Sequence, residues 1–276
     1  MKPQILCTRM LYRLLSPAFL LLVALIIPAC STQLESWDSG KDQILVFSKT
    51  EGYRHKSIKA GKEALVELGA EHRFQVVLSE DSELFSEQNL QQYSAVVFLN
   101  TTGNVLNQVQ QNAFENYIRS GGGFVGVHSA TDTEYDWEWY GGLVGAQFES
   151  HPAVQTASLT IVNQQHPATE VLPTHWEKED EWYNFKAINP DINVLINIDE
   201  SSYEGGKNGT EHPVAWYHDY DGGRAFYTAM GHTASTYKDP LFLAHLLGGL
   251  AYAAGDPAIA GKMPEEVKFV REVLDF

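Results

Sequence analysis

The chain has 276 residues, 44% of them hydrophobic, and a formal net charge of −16. This length and hydrophobic content permit a substantial core in one large α/β domain or two small ones. The acidity indicates solubility and should repel nucleic acid and anionic lipid, and no polybasic patch opposes this, so we expect no nucleic-acid partner.

The first 29 residues have the composition of a secretory leader. They contain three basic residues, no acid, and an apolar run at 18–27 that is too short to span a membrane comfortably. Residues 27–30 resemble a bacterial lipobox, which implies cleavage before Cys30 and acylation of its thiol. Ordinary signal cleavage and an uncleaved anchor are the alternatives.

A lipoprotein of this kind would sit in the bacterial cell envelope, at the outer membrane or the periplasmic face, held to the membrane by its lipid alone. Loss of the leader changes the formal net charge from −16 to −19. We expect the leader at 1–29, an acylated cysteine and tether at 30–41, one domain at 42–256 and a C-terminal extension at 257–276. Since both cysteines, Cys7 and Cys30, precede the domain, its chemistry cannot use a thiol.

Strand and helix patterns alternate along the first half of the domain. Gln43–Phe47 is an apolar run typical of a strand covered on both faces, and the helix after Ser57 is predicted to stop at Gly69. Next come strands at Phe74–Leu78 and Ala95–Leu99, a helix at Gln108–Arg119 and a strand at Phe124–Val127. This alternation favours a mostly parallel, doubly wound sheet.

The second half reads mainly as strands, some of which we expect to be antiparallel. They are predicted at Ser158–Val162, Val194–Ile198, Val214–Tyr217 and Ala225–Thr228, and a helix at Leu241–Ala253 closes the domain.

The segment Gly121–Asp132 is the strongest functional signal. Its glycines lead into a buried strand, and His128 follows at the carboxyl end, where open α/β sheets bind ligands. The loop after the first strand carries Tyr53 and His55 and should face the same crevice. The alternative for His128 is a buried histidine that merely bridges strand ends.

Seven segments in order resemble one known family, the ThuA-like (trehalose utilisation) family, from about Ile44 to Gly255. The segments are Leu99–Leu106, Gly121–Asp132, Tyr135–Trp137, Phe148–Pro152, Asp180–Tyr183, Pro213–Trp216 and Gly223–His232. The resemblance implies a flavodoxin-like fold similar to class I glutamine amidotransferases. In those enzymes a strand-to-helix elbow bears a cysteine and a later histidine is its base. By resemblance His128 occupies the elbow and His232 lies near the base position, so the chain is not a glutaminase.

Two histidines that share a crevice suit either proton transfer or a divalent metal. Asp132 and Glu181 supply carboxylates that could orient an imidazole or coordinate the ion. The catalytic candidates are therefore His128, His232, Asp132 and Glu181, and His128, His232 and Glu181 are also the candidate ligands of a metal. No closely spaced ligand pair such as His-x-x-x-His supports the metal.

Aromatic residues next to acids suggest a carbohydrate pocket, because sugars bind to flat apolar faces combined with a few polar groups. The candidate substrate contacts are Tyr53, His55, Trp137 and Tyr183, although Trp137 alone is typical of a core residue.

Three function classes follow. The resemblance implies an enzyme acting on disaccharides or 3-keto-glycosides by His/carboxylate acid–base or metal-assisted chemistry. The second class is a non-catalytic, membrane-anchored sugar-binding module. The third is a hydrolase with Ser129 as nucleophile, which lacks the glycine that a G-x-S-x-G elbow places after the serine.

Overall fold

A nine-stranded sheet organises residues 43–260, the part of the chain that a computed structural model describes. Its strands and those of a separate two-stranded sheet are β1 (Gln43–Phe47), β2 (Gln75–Ser79), β3 (Ala95–Leu99), β4 (Gly123–Val127), β5 (Gln147–Ser150), β6 (Gln155–Ile161), β7 (His175–Asp180), β8 (Asn184–Lys186), β9 (Asn193–Ile198), β10 (His212–Tyr220) and β11 (Gly223–Thr228). The helices are α1 (Ile58–His72), α2 (Glu87–Leu90), α3 (Gln108–Arg119), α4 (Glu138–Val144) and α5 (Pro240–Ala254).

The large sheet has a parallel half and an antiparallel half. Its strand order is β2-β1-β3-β4-β11-β10-β9-β6-β7, and β5 pairs separately with β8. Strands β2, β1, β3, β4 and β11 run parallel to one another, whereas β10 pairs antiparallel with β11 and the remaining pairs among β10, β9, β6 and β7 are also antiparallel. The predicted α/β fold with a doubly wound parallel part and additional antiparallel strands is confirmed.

The parallel strands are apolar because helices cover them. Every residue of β3 and β4 is buried, and α1 packs on β2 while α5 packs on β4 and β11. The predicted end of α1 at Gly69 is wrong, since the helix continues to His72 and Arg73 takes the left-handed conformation after it. Gly69 instead permits close packing, because a Cβ there would lie 2.7 Å from the Phe74 carbonyl oxygen.

The antiparallel half curls back over the carboxyl ends of the parallel strands. Asp180 ends β7, which is an edge strand, yet its carboxylate accepts hydrogen bonds from the backbone N–H groups of Gly231 and His232, which follow β11. Three strands, β10, β9 and β6, lie between β11 and β7 in the sheet order. The curl therefore joins two distant loops into one site.

No helix within residues 43–260 has the length and apolar character needed to cross a membrane. The leader, Cys30 and the tether lie outside the described residues, as does most of the C-terminal extension. The lipoprotein interpretation and the domain boundaries therefore stay predictions.

Candidate metal centre

The turn after β4 presents His128 at the carboxyl end of the sheet. Its φ of +51° lies in the left-handed region, which costs a non-glycine residue about 1 kcal/mol or more. The Nδ1 atom lies 2.7 Å from the Ala229 carbonyl oxygen. Because a carbonyl only accepts, Nδ1 carries the hydrogen and Nε2 keeps its lone pair. The buried imidazole is thus held in the tautomer that can bind a cation.

The loop after β1 brings His55 to the same place, as the sequence predicted. A backbone bridge between Thr50 and Thr102 ties this loop to the one after β3. The ring centres of His55 and His128 lie 4.8 Å apart, edge to face. The Nδ1 atom of His55 lies 3.3 Å from the Ser129 hydroxyl, which leaves Nε2 as the nitrogen that a ligand can use.

The buried carboxylate of Asp180 positions two further site residues, Glu181 and His232. Asp180 accepts hydrogen bonds from the backbone N–H groups of Glu181 at 2.9 Å, Gly231 at 2.9 Å and His232 at 3.0 Å, and from the Thr236 hydroxyl at 2.8 Å. These bonds hold the segment after β7 beside the segment after β11. The side chains of Glu181 and His232 consequently meet.

Four side chains converge into a group that we call the His3Glu cluster: His55, His128, Glu181 and His232. Glu181 Oε2 lies 3.1 Å from His232 Nδ1 and 3.5 Å from His128 Nε2, and these two nitrogens are 3.3 Å apart. One potential ligand atom from each of the four residues lies within 4.8 Å of all the others. The four residues follow four different strands, β1, β4, β7 and β11.

The environment favours the protonation states that a cation needs at His55 and Glu181. Burial and, to a smaller extent, the neighbouring His128 and His232 together lower the pKa of His55 to about 3, so its imidazole is neutral. Burial raises the pKa of Glu181, but the neighbouring imidazoles of His128 and His232 oppose this and hold it well below its usual range. The hydrogen bond to Glu181 raises the pKa of His232. The cluster therefore combines an ionised carboxylate with the imidazole lone pairs of His55 and His128, and His232 would give up a proton when a cation binds.

The donor set fits a divalent transition metal. Three imidazole nitrogens and one carboxylate oxygen are ligands that zinc and similar ions accept, and imidazole disfavours calcium and magnesium. The bond from His128 Nδ1 to a backbone carbonyl is the arrangement that usually orients a metal-binding histidine. The sequence placed His128, His232 and Glu181 together and assigned His55 to substrate, whereas the structure places all four in one group.

Asp132 lies beside the His3Glu cluster but outside it. Its Oδ1 accepts a 2.7 Å hydrogen bond from the Tyr135 hydroxyl, which also lies 3.1 Å from the Phe148 carbonyl oxygen. Burial raises the pKa of Asp132, while the Tyr135 hydrogen bond and the nearby His128 and His151 oppose that rise. Glu181 is thus the carboxylate placed to coordinate, and Asp132 is available for another role.

Two of the predicted aromatic contacts adjoin the cluster. Tyr183 is buried, with its ring centre 4.2 Å from that of His128, so it supports the imidazole from behind. Tyr53 is 62% exposed and meets the His55 ring edge to face at 4.8 Å. Tyr53 is therefore the more accessible of these two aromatic faces.

Trp137 is not brought to the site. Its indole is buried and stacks on Trp139 and Tyr140, with ring centres 5.2 and 5.7 Å away, and its Nε1 donates to Glu115 at 3.1 Å. The structure supports Trp137 as a core residue and not as a substrate contact, because α3 and α4 bury its side chain between them.

His151 is a site residue that the sequence candidates did not include. Its Nδ1 lies 3.0 Å from Glu181 Oε1 and 2.8 Å from the Pro152 carbonyl oxygen, and its side chain is 43% exposed. The pairing of β5 with β8 carries His151 to Glu181. The motif Phe148–Pro152 contained this residue, but strands of four and three residues gave no signal for the pairing.

Replacement of Asp180 by asparagine should loosen the site and destabilise the protein. The amide places N–H groups against some of the four donors that the carboxylate now satisfies, and each buried donor left unpaired costs about 1–3 kcal/mol. We expect a loss of about 2–4 kcal/mol in the free energy of unfolding, measured by urea denaturation. Thr236→Val, which removes one donor and leaves the carboxylate, should reduce the free energy of unfolding by less. If the two variants lost the same amount of stability, the role of Asp180 in holding the two segments together would be contradicted.

Comparisons with known proteins agree with this fold. A family model described as ThuA, trehalose utilisation, matches residues 43–253. A ThuA-like protein from Bacteroides uniformis is 20% identical, with a TM-score of 0.68 over 82% of this chain and 98% of that one. A ThuA-like protein from Parabacteroides merdae is also 20% identical, with a TM-score of 0.64 over 78% and 91%.

A more distant likeness extends to part of a larger enzyme. A β-galactosidase from Bacillus circulans is 13% identical, with a TM-score of 0.54 over 80% of this chain and 32% of that one. At such identities the structural likeness concerns the fold alone. No curated protein matches the chain.

Proposed function

Since this chain belongs to the ThuA family, whose description as trehalose utilisation gives it a carbohydrate-related role, we propose that it is a metal-dependent enzyme acting on 3-keto-glycosides. The His3Glu cluster is the proposed metal site, with zinc as the first candidate ion. The observation that carries the proposal is the convergence of four potential ligand atoms within 4.8 Å of one another, in a family devoted to sugar use.

The chemistry follows from what a cation does to a ketone. The His3Glu cluster would hold the ion, which would supply Lewis-acid chemistry: it would polarise a ketone and acidify the neighbouring C–H bonds. Proton removal beside the ketone then becomes accessible without a covalent nucleophile. The absence of cysteine from residues 31–276 is compatible with this route.

The aromatic neighbourhood supports a sugar as the ligand. Tyr53 offers an exposed flat face next to His55, and His232 is 23% exposed at the edge of the cluster. A sugar ring stacked on such a face can direct an oxygen to the cluster, in the usual pattern of one apolar surface with a few polar groups.

The proposal is tested by metal analysis and by an NMR time course. Purified full-length protein, in detergent if its leader is retained, is expected to hold about one zinc per chain by mass spectrometry. It should convert 3-keto-trehalose or 3-keto-glucosides in a reaction that a chelator stops and added zinc restores. Broadening of the substrate signals without conversion would favour the sugar-binding module. Conversion that continues in the presence of the chelator would contradict a metal-dependent reaction.

Ser129→Ala separates this mechanism from a serine hydrolase. Ser129 is fully buried and its hydroxyl faces His55 Nδ1, so in the metal mechanism it only orients a ligand. Loss of such a partner weakens metal binding by about 10- to 100-fold. We therefore expect the turnover of Ser129→Ala to recover as zinc is raised. A nucleophile would instead leave the variant inactive at every zinc concentration.

A further inference from the structure

The turn that begins at His128 ends at Asp132, so one short segment supplies both a cluster imidazole and a carboxylate that lies outside the cluster. The side chain of Asp132 is partly exposed, unlike that of His128. Asp132 lies close enough to His128 to interact with it electrostatically, and it is not itself one of the four convergent ligands.

The contacts of Asp132 fix one oxygen and leave the other available. Oδ1 accepts a hydrogen bond from the Tyr135 hydroxyl at 2.7 Å, and the Phe148 carbonyl oxygen lies 3.1 Å from the same hydroxyl oxygen. Among the described residues, no donor to Oδ2 accompanies this bond. A carboxylate clamped at one oxygen and open at the other has the geometry of a positioned base.

A base outside the cluster is also what the chemistry requires. His55, His128, Glu181 and His232 direct their lone pairs or charge at a common point, and a bound ion would occupy them. A group that takes a proton from substrate must keep its own lone pair free. Asp132 meets that condition.

We propose that Asp132 is the general base that removes the proton from the carbon beside the ketone of a 3-keto-glycoside, and that Tyr135 positions it. This inference rests on the proposed function. In the step, the C–H bond breaks, the proton moves to Asp132 Oδ2, and the bonding electron pair delocalises onto the ketone oxygen as an enolate. Return of a proton from the carboxyl group to the carbon regenerates the substrate.

The electrostatic surroundings agree with this role. Burial raises the pKa of Asp132, which strengthens it as a base relative to a solvated carboxylate. The groups that face it are Tyr135, His128 and His151, all of which oppose that rise. Lys186 lies 5.1 Å from the centre of the Tyr135 ring and adds positive charge nearby.

The test measures hydrogen exchange, which reports proton removal without the rest of the reaction. Zinc-loaded full-length protein is incubated in D2O with methyl 3-keto-glucoside, and loss of the proton signals beside the ketone is followed by NMR. Asp132→Asn should slow the exchange at least about 100-fold, the usual contribution of a general base. Its zinc content and melting temperature should match the wild type. Asp136→Asn, the same change at an exposed neighbour, should exchange at the wild-type rate.

Tyr135→Phe provides a second variant in case Asp132→Asn does not fold. It removes a hydrogen bond that lowers the pKa of Asp132, so the acid limb of the exchange rate should move to higher pH while zinc content is unchanged. Wild-type exchange in Asp132→Asn, or no shift of that limb in Tyr135→Phe, would overturn the role of Asp132. A wild-type protein that binds zinc but does not exchange would overturn it too. If the wild type binds no zinc, the proposed function fails and this role fails with it.

Discussion

His128→Ala is expected to abolish both metal binding and turnover. The substitution removes the imidazole whose tautomer the Ala229 carbonyl fixes and whose Nε2 lies within 3.5 Å of both Glu181 and His232. Loss of a partner that merely orients a ligand costs about 10- to 100-fold in metal affinity, so loss of the ligand itself should cost at least about 100-fold. Conversion of 3-keto-glycosides should then fall to the level of the chelated wild type.

The effect must be separated from damage to the fold. His175 lies exposed on β7, so His175→Ala is a matched control that should retain zinc and activity. Zinc is measured by titration against a competing chelator, and unfolding by urea denaturation of the metal-free proteins. Tight zinc binding by a folded His128→Ala protein would contradict the assignment of His128 as a ligand.

Acid should destabilise the protein strongly through two histidines remote from the cluster. Burial lowers the pKa of His166 to about 4 and that of His245 to about 4. Each has a buried Nε2 that finds no partner within the described residues. Neutral imidazole is tolerated there. An added proton on His245 Nε2 would be buried without an acceptor, and one on His166 Nδ1 would displace the hydrogen bond from the Ala168 N–H.

Acid lowers the stability because the pKa values of His166 and His245 are lower in the folded chain than in the unfolded chain. Above about pH 6.5 both states hold these groups neutral, and the stability is fully present. As pH falls towards 4 the unfolded chain takes up protons that the folded chain refuses, so stability is lost. A shift from 6.5 to about 4 is worth at most about 3 kcal/mol for each histidine at pH 4.

Asparagine at both positions should flatten this pH dependence. His166 Nδ1 accepts a bond from the Ala168 N–H, and His245 Nδ1 donates to the Ala168 carbonyl, so the oxygen or nitrogen of an asparagine amide can replace each. Urea denaturation between pH 7 and pH 4 should show a smaller decline for His166→Asn and His245→Asn than for the wild type. An unchanged decline would assign the acid sensitivity to other groups.

The parallel half of the fold was readable from sequence because its signals are local. The strands β1, β3 and β4 are unbroken apolar runs, and α3 carries an asparagine cap at Asn107. Parallel strands end at a common edge, so the sequence could also bring His55 and His128 together.

The antiparallel half was harder because its inward positions are partly charged. In β7 the alternate residues Trp176, Lys178 and Asp180 are buried, but a lysine and an aspartate conceal the period of two. Lys178 is buried because it pairs with Asp239 at 2.6 Å, and Asp180 because four donors surround it. Neither partnership has a sequence signature, so the strand went unpredicted, although Glu181 just beyond its end was already a site candidate.

The site shows the same division. His128, His232 and Glu181 stand in recognisable motifs, whereas the place of His151 depends on the β5–β8 pairing. Trp137 was a site candidate that the structure places elsewhere. An indole beside acidic residues is typical of both a sugar-binding surface and a core, and only the packing of α3 and α4 decides between them.

The four segments of the His3Glu cluster come from both halves of the curled sheet, so an ion bound there would act as a cross-link between them. An ion that binds only the folded chain shifts the folding equilibrium by mass action, by about 4 kcal/mol when free ion exceeds its dissociation constant a thousandfold. Metal supply would then govern how long each molecule survives proteolysis as well as whether it turns over. Scarcity of the ion would reduce the amount of this protein before it limited the rate of the remainder.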